Sequence, residues 1–162
     1  MKIDVITVST SRYRQHGSVA SPEEAQDLSG REILDSVQSA GHLTSYALLP
    51  DGIEPLRGVV LDLTAGHRDA LVICGGTGLA PLDMSIEAVE PLYQKSIPGF
   101  GEIFRLRSLE EIGTRAMLTR ASAGLVRGVP VFCLPGSPAA ARLGINLILQ
   151  ELEHILHHVR NG

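Results

Sequence analysis

Four short turns in this chain carry residue types that hold phosphate: Ser9-Thr10-Ser11, Pro50-Asp51-Gly52, Gly75-Gly76-Thr77-Gly78 and Pro135-Gly136-Ser137-Pro138. The glycine-rich turn is the sharpest. Three glycines and a threonine let the backbone come close to a ligand and aim N–H groups and a hydroxyl at phosphate oxygens. It is not a Walker A loop, because no Gly-Lys-Ser/Thr follows. Nor is it a dinucleotide fingerprint, since Pro81 stands where the third glycine belongs. Taken alone, it reads equally well as a tight strand-to-helix turn without a ligand.

Two aspartates lie near these turns. Asp83 follows Gly78 by five residues and precedes a helix-like segment, Met84–Tyr93, so it suits a helix N-cap. Asp51 sits in Pro-Asp-Gly, an ordinary turn sequence. As a pair at neighbouring strand ends, they could instead hold Mg²⁺ together with bound phosphates. Ser137 and Pro138 suit the N-cap and first turn of a long final helix, whose free N–H groups also form an anion site. His154, His157 and His158 have a spacing that could ligate a metal. They fit better as residues complementing the dipole at the end of that helix.

These turns need a scaffold that brings strand ends together. Four apolar, β-branched runs read as core strands: Ile3–Val8, Leu43–Leu49, Ala70–Cys74 and Val129–Leu134. Helical patterns lie between them. Ile33, Leu34 and Val37 share one face, Ile53, Leu56, Val60 and Leu63 another, and Leu143 to Val159 form a long amphipathic last helix. Alternation of this kind predicts an α/β fold, a three-layer α/β/α arrangement around a mostly parallel sheet. Ligands in such sheets bind beyond the carboxyl ends of the strands, where all four turns fall. Residues Arg12–Asp27 are polar and mixed, as expected of a mobile surface loop. Residues Ser96–Arg127 contain short helical pieces and more glycine than a simple crossover needs. No repeat or linker divides the chain, so 1–162 is expected to form one domain.

Composition narrows the partners. The chain has 162 residues, 44% hydrophobic and 20% charged, with a formal net charge of −4 and no tryptophan. That balance is globular and gives no general attraction to nucleic acid or anionic membranes. A phosphate ligand must therefore be held locally. No apolar stretch is long enough for a membrane span, and the start of the chain enters a strand-like run without a signal core. Cys74 and Cys133 each close an apolar run, and two such cysteines make neither a disulfide framework nor a zinc site. The cytoplasm is the expected compartment.

Read in order, the segments form a longer pattern. Ser9-Thr10-Ser11-Arg12, Asp27-Leu28-Ser29-Gly30, Ala40-Gly41-His42 and Leu49-Pro50-Asp51 come first. Gly75-Gly76-Thr77-Gly78-Leu79-Ala80-Pro81, Glu87-Ala88, Pro91-Leu92 and Gly99-Phe100-Gly101-Glu102-Ile103-Phe104-Arg105 follow. Ile112-Gly113, Arg120-Ala121, Ala123-Gly124 and Leu134-Pro135-Gly136-Ser137 complete it. The pattern resembles the MoaB/MogA family of molybdenum-cofactor biosynthesis proteins, the MoaB branch most closely, over nearly the whole chain.

The resemblance implies a molybdopterin-binding-domain-like fold and Mg-ATP-dependent adenylylation of molybdopterin. AMP is placed on the terminal phosphate of the pterin and pyrophosphate is released. By this likeness Asp51 and Asp83 are the catalytic pair and the Mg²⁺ ligands. Gly75, Gly76, Thr77 and Gly78 contact the nucleotide, with Ser9 and Thr10 assigned beside them. The pterin phosphate is assigned to Ser108, Thr119, Arg120, Pro135, Gly136 and Ser137. No tightly bound cofactor is implied. The family also implies a homotrimer, pairing into a hexamer, and contact with other proteins of the pathway. Ile97–Phe104 and Ile145–Leu156 are the apolar segments available for subunit contact or for the core. Leu82 stands where the family often has Arg, Cys74 where Thr is usual and Thr119 where Ser is common. The other reading of the same resemblance is a non-catalytic pterin-binding scaffold.

Overall fold

The computed structural model of the protein describes residues 1–161. Its chain runs β1 (Lys2–Val8), α1 (Thr10–His16), α2 (Leu28–Ser39), β2 (Leu43–Leu49), α3 (Ile53–Thr64) and β3 (Ala70–Cys74). It continues through α4 (Ser85–Val89), a 3-10 turn (Glu90–Leu92), β4 (Lys95–Ser96), α5 (Pro98–Ile112) and a second 3-10 turn (Gly113–Leu118). β5 (Ser122–Val126), β6 (Val129–Leu134) and α6 (Pro138–Asn161) end it. The strands form one sheet in the order β2-β1-β3-β6-β5-β4.

The four expected strands are parallel neighbours, with Thr7 opposite both Leu48 and Cys74, and Cys74 opposite Leu134. Alternation along each strand feeds two cores. Ile3, Val5, Tyr46, Leu48, Val72, Phe132 and Leu134 face α2, α5 and α6. Ile6, Val8, Leu71, Ile73, Val131 and Cys133 face α3 and α4. Strands buried on both faces must be continuously apolar, which is why they stand out in the sequence. Helix starts follow local chemistry. Asp27 caps α2 by accepting from Gly30 N at 3.0 Å, and Ser137 Oγ accepts from Ala140 N at 3.2 Å as α6 begins.

Two parts of the chain differ from the sequence expectation. The stretch after Ser96 contains β5, which with β6 forms a hairpin, and β4 adds to its edge just before; both pairings are antiparallel. Arg127 and Gly128 turn that hairpin with φ of 52° and 77°, a conformation that matches the twist of the two strands. The Arg12–Asp27 segment is not a free loop. Its first turns are α1, and the Arg12 guanidinium donates to the carbonyls of Ala25 and Gln26. Ala25 is fully buried in the α2/α6 core, so the segment is fastened at both ends.

Candidate functional site

A cleft of about 760 Å³ opens at the carboxyl edge of β1, β2, β3 and β6. Thr10, Asp51, Gly76 with Asp83, Thr119 and Gly136 come to it from five different connections. Ser9, Gly75, Thr77, Gly78, Arg120 and Pro135 line it as well. The crossing of parallel strands into helices produces this convergence.

The glycines are required by packing. Gly75 and Gly76 have φ of 100° and 64°, which side chains other than glycine rarely adopt. A Cβ on Gly75 would strike the Val8 carbonyl, one on Gly76 the Ser85 hydroxyl, and one on Gly78 would lie 2.5 Å from Asp83 Oδ2. Gly136 packs on the same turn, its Cβ position only 3.2 Å from Gly75 Cα. Ser85 fixes the turn from behind, its hydroxyl donating to Gly75 O at 2.8 Å and its N–H to Gly76 O at 2.9 Å.

The two aspartates are held differently. Asp51 Oδ2 accepts from both the N–H and the hydroxyl of Thr10, at 2.8 and 2.6 Å. The same hydroxyl accepts from Asp51 N at 2.9 Å, closing a reciprocal ring. Asp51 Oδ1 faces Gly76. Asp83 does not cap α4, whose N-cap is Met84. Its Oδ2 accepts from Ala80 N at 3.0 Å and thereby closes the exposed Leu79–Leu82 turn. The donor set is entirely oxygen, and no group of three or more His, Cys, Asp or Glu that could hold a metal occurs among the described residues. Oxygen donors of this kind suit Mg²⁺.

Arg120 is largely occupied by protein. Its Nε donates to Thr77 O at 2.9 Å, its Nη2 to Gly78 O at 2.9 Å, and its Nη1 to Glu87 Oε1 at 2.6 Å. The guanidinium therefore clamps the back of the glycine turn to α4. The bond to Arg120 holds the Glu87 carboxyl below its ordinary value. Ser108 lies buried on α5 and does not line the cleft, while Ser137 is exposed at the start of α6 and also stands outside the lining. The histidines of α6 lie far along the last helix, His154 and His158 touching through their Nε2 atoms at 3.1 Å.

Residues that the sequence did not single out complete the cleft. Asp27, Thr7 and Arg12 line it, and Tyr46 donates from its phenol to Asp27 Oδ2 at 2.8 Å. Burial, with the Asp27 charge added, pushes the Cys74 thiol up to about 12. Ser85 and Glu87 belong to the supporting layer. The Asp27-Leu28-Ser29-Gly30 segment was visible as a pattern, but nothing in its spacing says that its carboxylate enters the cleft.

Comparison with known proteins settles the family. Residues 4–154 match the family described as "Probable molybdopterin binding domain". Molybdenum cofactor biosynthesis protein B of Bacillus subtilis is 38% identical over 99% of this chain and 91% of its own length. The chain belongs to the MoaB/MogA family. Another MoaB/MogA relative, the molybdopterin adenylyltransferase of Pyrococcus furiosus, is 39% identical over 98% of this chain and 91% of its own length. The crystal structure of the tungsten cofactor synthesizing protein MoaB from P. furiosus superposes with a TM-score of 0.85, at 37% identity, covering 98% of this chain and 96% of that one. Among the departures from the MoaB/MogA pattern, Leu82 is an exposed apolar tip on the turn that Asp83 closes, and Cys74 is buried beneath the glycines.

Proposed function

We propose that this protein is a molybdopterin adenylyltransferase that uses Mg-ATP as co-substrate and acts in molybdenum-cofactor biosynthesis in the cytoplasm. The observation that carries the reading is the meeting of Asp51, Asp83, the Gly75–Gly78 turn and the Pro135-Gly136 turn in one cleft. An oxygen of the pterin's terminal phosphate attacks the α-phosphorus of ATP. A new P–O bond joins the pterin phosphate to AMP, the bond from the α-phosphorus to the bridging oxygen breaks, and pyrophosphate leaves. The nucleophile needs no general base, because a phosphomonoester has its second pKa near ~6.

Catalysis then rests on alignment and charge neutralisation. A Mg²⁺ bound with ATP would supply charge neutralisation between the reacting phosphates. Asp51 and Asp83 would hold that ion, and Thr10 leaves Oδ1 of Asp51 free for such a role. Gly75, Gly76, Thr77 and Gly78, with Ser9 and Thr10, cradle the nucleotide. Thr119, Pro135 and Gly136 receive the pterin phosphate. In this reading Arg120 acts through the glycine turn, and Ser108 and Ser137 support the surrounding helices.

Exposed apolar side chains on α5 and the turn after it, Ile103, Leu106, Leu109, Met117 and Leu118, support self-association into the trimer or hexamer of the family. The segments considered from sequence contribute mainly to the core instead, since Phe104, Ile145, Ile148 and Leu152 are buried. Leu82 favours a second reading, a pterin-binding scaffold without catalysis, because it offers no charge to the phosphates. Incubation with molybdopterin, ATP and Mg²⁺ separates the two. Adenylylated pterin and equimolar pyrophosphate are expected. Tight pterin binding with no AMP product would leave only the scaffold.

A further inference from the structure

The floor of the cleft carries polar chemistry that phosphate handling does not use. Thr7 ends the sequence of side chains on β1 that face α2, opposite Cys74, and is only 4% exposed. Its Oγ1 is the one buried side-chain oxygen or nitrogen without a hydrogen-bond partner among the described residues. The Tyr46 phenol lies beside it and is at most a weak acceptor for its hydroxyl, since it gives its own proton to Asp27 at 2.8 Å. Asp27 is 3% exposed and also lines the cleft. Its Oδ1 accepts from Gly30 N and its Oδ2 from Tyr46, one bond on each oxygen. A carboxylate has about four acceptor positions, so two remain. Ser29, two residues on, donates to Gly136 O at 2.8 Å and ties this floor to the Pro135-Gly136 turn.

An acceptor pair beside an unpartnered hydroxyl is a specific pattern. It complements two adjacent donors followed by an acceptor. The 2-amino-4-oxopyrimidine edge offers that order: the 2-amino group, the ring N3–H and the 4-oxo group. Adenine presents an amino donor beside a ring acceptor, and that acceptor would face a carboxylate oxygen. A buried polar group left unpaired or opposed is costly, so the mismatch discriminates strongly.

We propose that Asp27 and Thr7 form the ring-reading floor of the cleft, taking the 2-amino-4-oxopyrimidine edge of the pterin and turning away adenine. The proposal rests on the molybdopterin reading above and adds the residues that select the ring. It keeps the two substrates apart: the pterin ring enters under β1, and ATP is left to the glycine turn. Guanine carries the same edge, so a guanine nucleotide is the competing source of this chemistry.

The test is equilibrium binding of pterin and of lumazine, in which an oxygen replaces the 2-amino group, together with ATP and GTP. Wild-type protein should bind pterin about 10-fold or more tightly than lumazine, as expected for one charged hydrogen bond exchanged for a repulsion. Asp27→Asn keeps a good N-cap for α2 and should bring the two rings within about 3-fold, leaving ATP unchanged. Thr7→Val should weaken pterin and lumazine by the same factor, since both carry the 4-oxo group. A merely structural Asp27 would lower stability in Asp27→Asn and leave the pterin-to-lumazine ratio as it was; that result overturns the proposal. So does equal loss of ATP binding, or an Asp27-dependent preference for GTP without one for pterin. AMP transfer by the wild type is read in parallel. Transfer without ring discrimination overturns the floor alone, whereas ring discrimination without transfer removes the transferase reading and leaves the floor.

Discussion

Thr10 and Asp51 make a closed ring of three hydrogen bonds, which leaves Asp51 a single rotamer and one outward oxygen. Asp51→Asn and Asp83→Asn should each lower kcat for AMP transfer by about 100-fold or more, the scale of lost transition-state charge stabilisation. Circular dichroism of both variants should match the wild type; unchanged turnover would refute their roles. Arg120 and Glu87 act one layer back, and pH exposes them. Arg120 holds the Glu87 carboxyl below its ordinary value of 4.5, so the charged form is favoured in the folded state. The clamp therefore contributes fully above pH 4.5 and is lost as pH falls below it, through the lowered folded value. Asp69 and Glu32 are lowered too and share the acid loss. The expected signature is a difference: between neutral pH and acid, wild type should lose more stability than Glu87→Gln, measured by urea titration. Parallel curves would show that the clamp does not contribute.

At the scale of elements, the turn between β3 and α4 bears the tightest constraints. Gly76→Ala combines an unfavourable φ with a collision at Ser85, and should cost about 1–3 kcal/mol in urea unfolding while reducing ATP binding. Equal stability of the variant would mean that the turn relaxes freely. This turn was legible in the sequence because glycine leaves a compositional trace where backbones touch. The buried parallel strands were legible for a similar reason, since burial on two faces forbids polar residues. The β5 strand was not. Ser122-Ala123-Gly124-Leu125-Val126 has small residues because Tyr93 packs onto Gly124, and small residues carry no strand pattern. The Arg12–Asp27 segment misled in the opposite way: Arg14, Glu23, Glu24 and Gln26 do face water, but Arg12 and Asp27 turn inward and fasten the segment at its two ends. Asp27 was hidden because capping α2, bonding Tyr46 and entering the cleft all call for the same residue type.

At the scale of the whole molecule, the apolar surface is unevenly distributed. Leu106 on α5 is 61% exposed and Met117 on the 3-10 turn after it 81%. Leu106→Glu should shift the protein toward monomer in sedimentation velocity without altering its circular dichroism; no change in sedimentation would place the subunit contact elsewhere. The two cysteines point to another property. Cys74 and Cys133 sit on adjacent central strands, and burial pushes each thiol up to about 12. At pH 8 both are held as thiols, and each is almost wholly buried, Cys74 at the floor of the cleft. Alkylation must then wait for the sheet to open, so its rate is a clock for the rarest excursions of the native state. If nucleotide and pterin pin turns from five connections, as proposed, that clock should slow as the ligands bind. The protein would thus record the filling of its cleft in the half-life of two thiols that never take part in the chemistry.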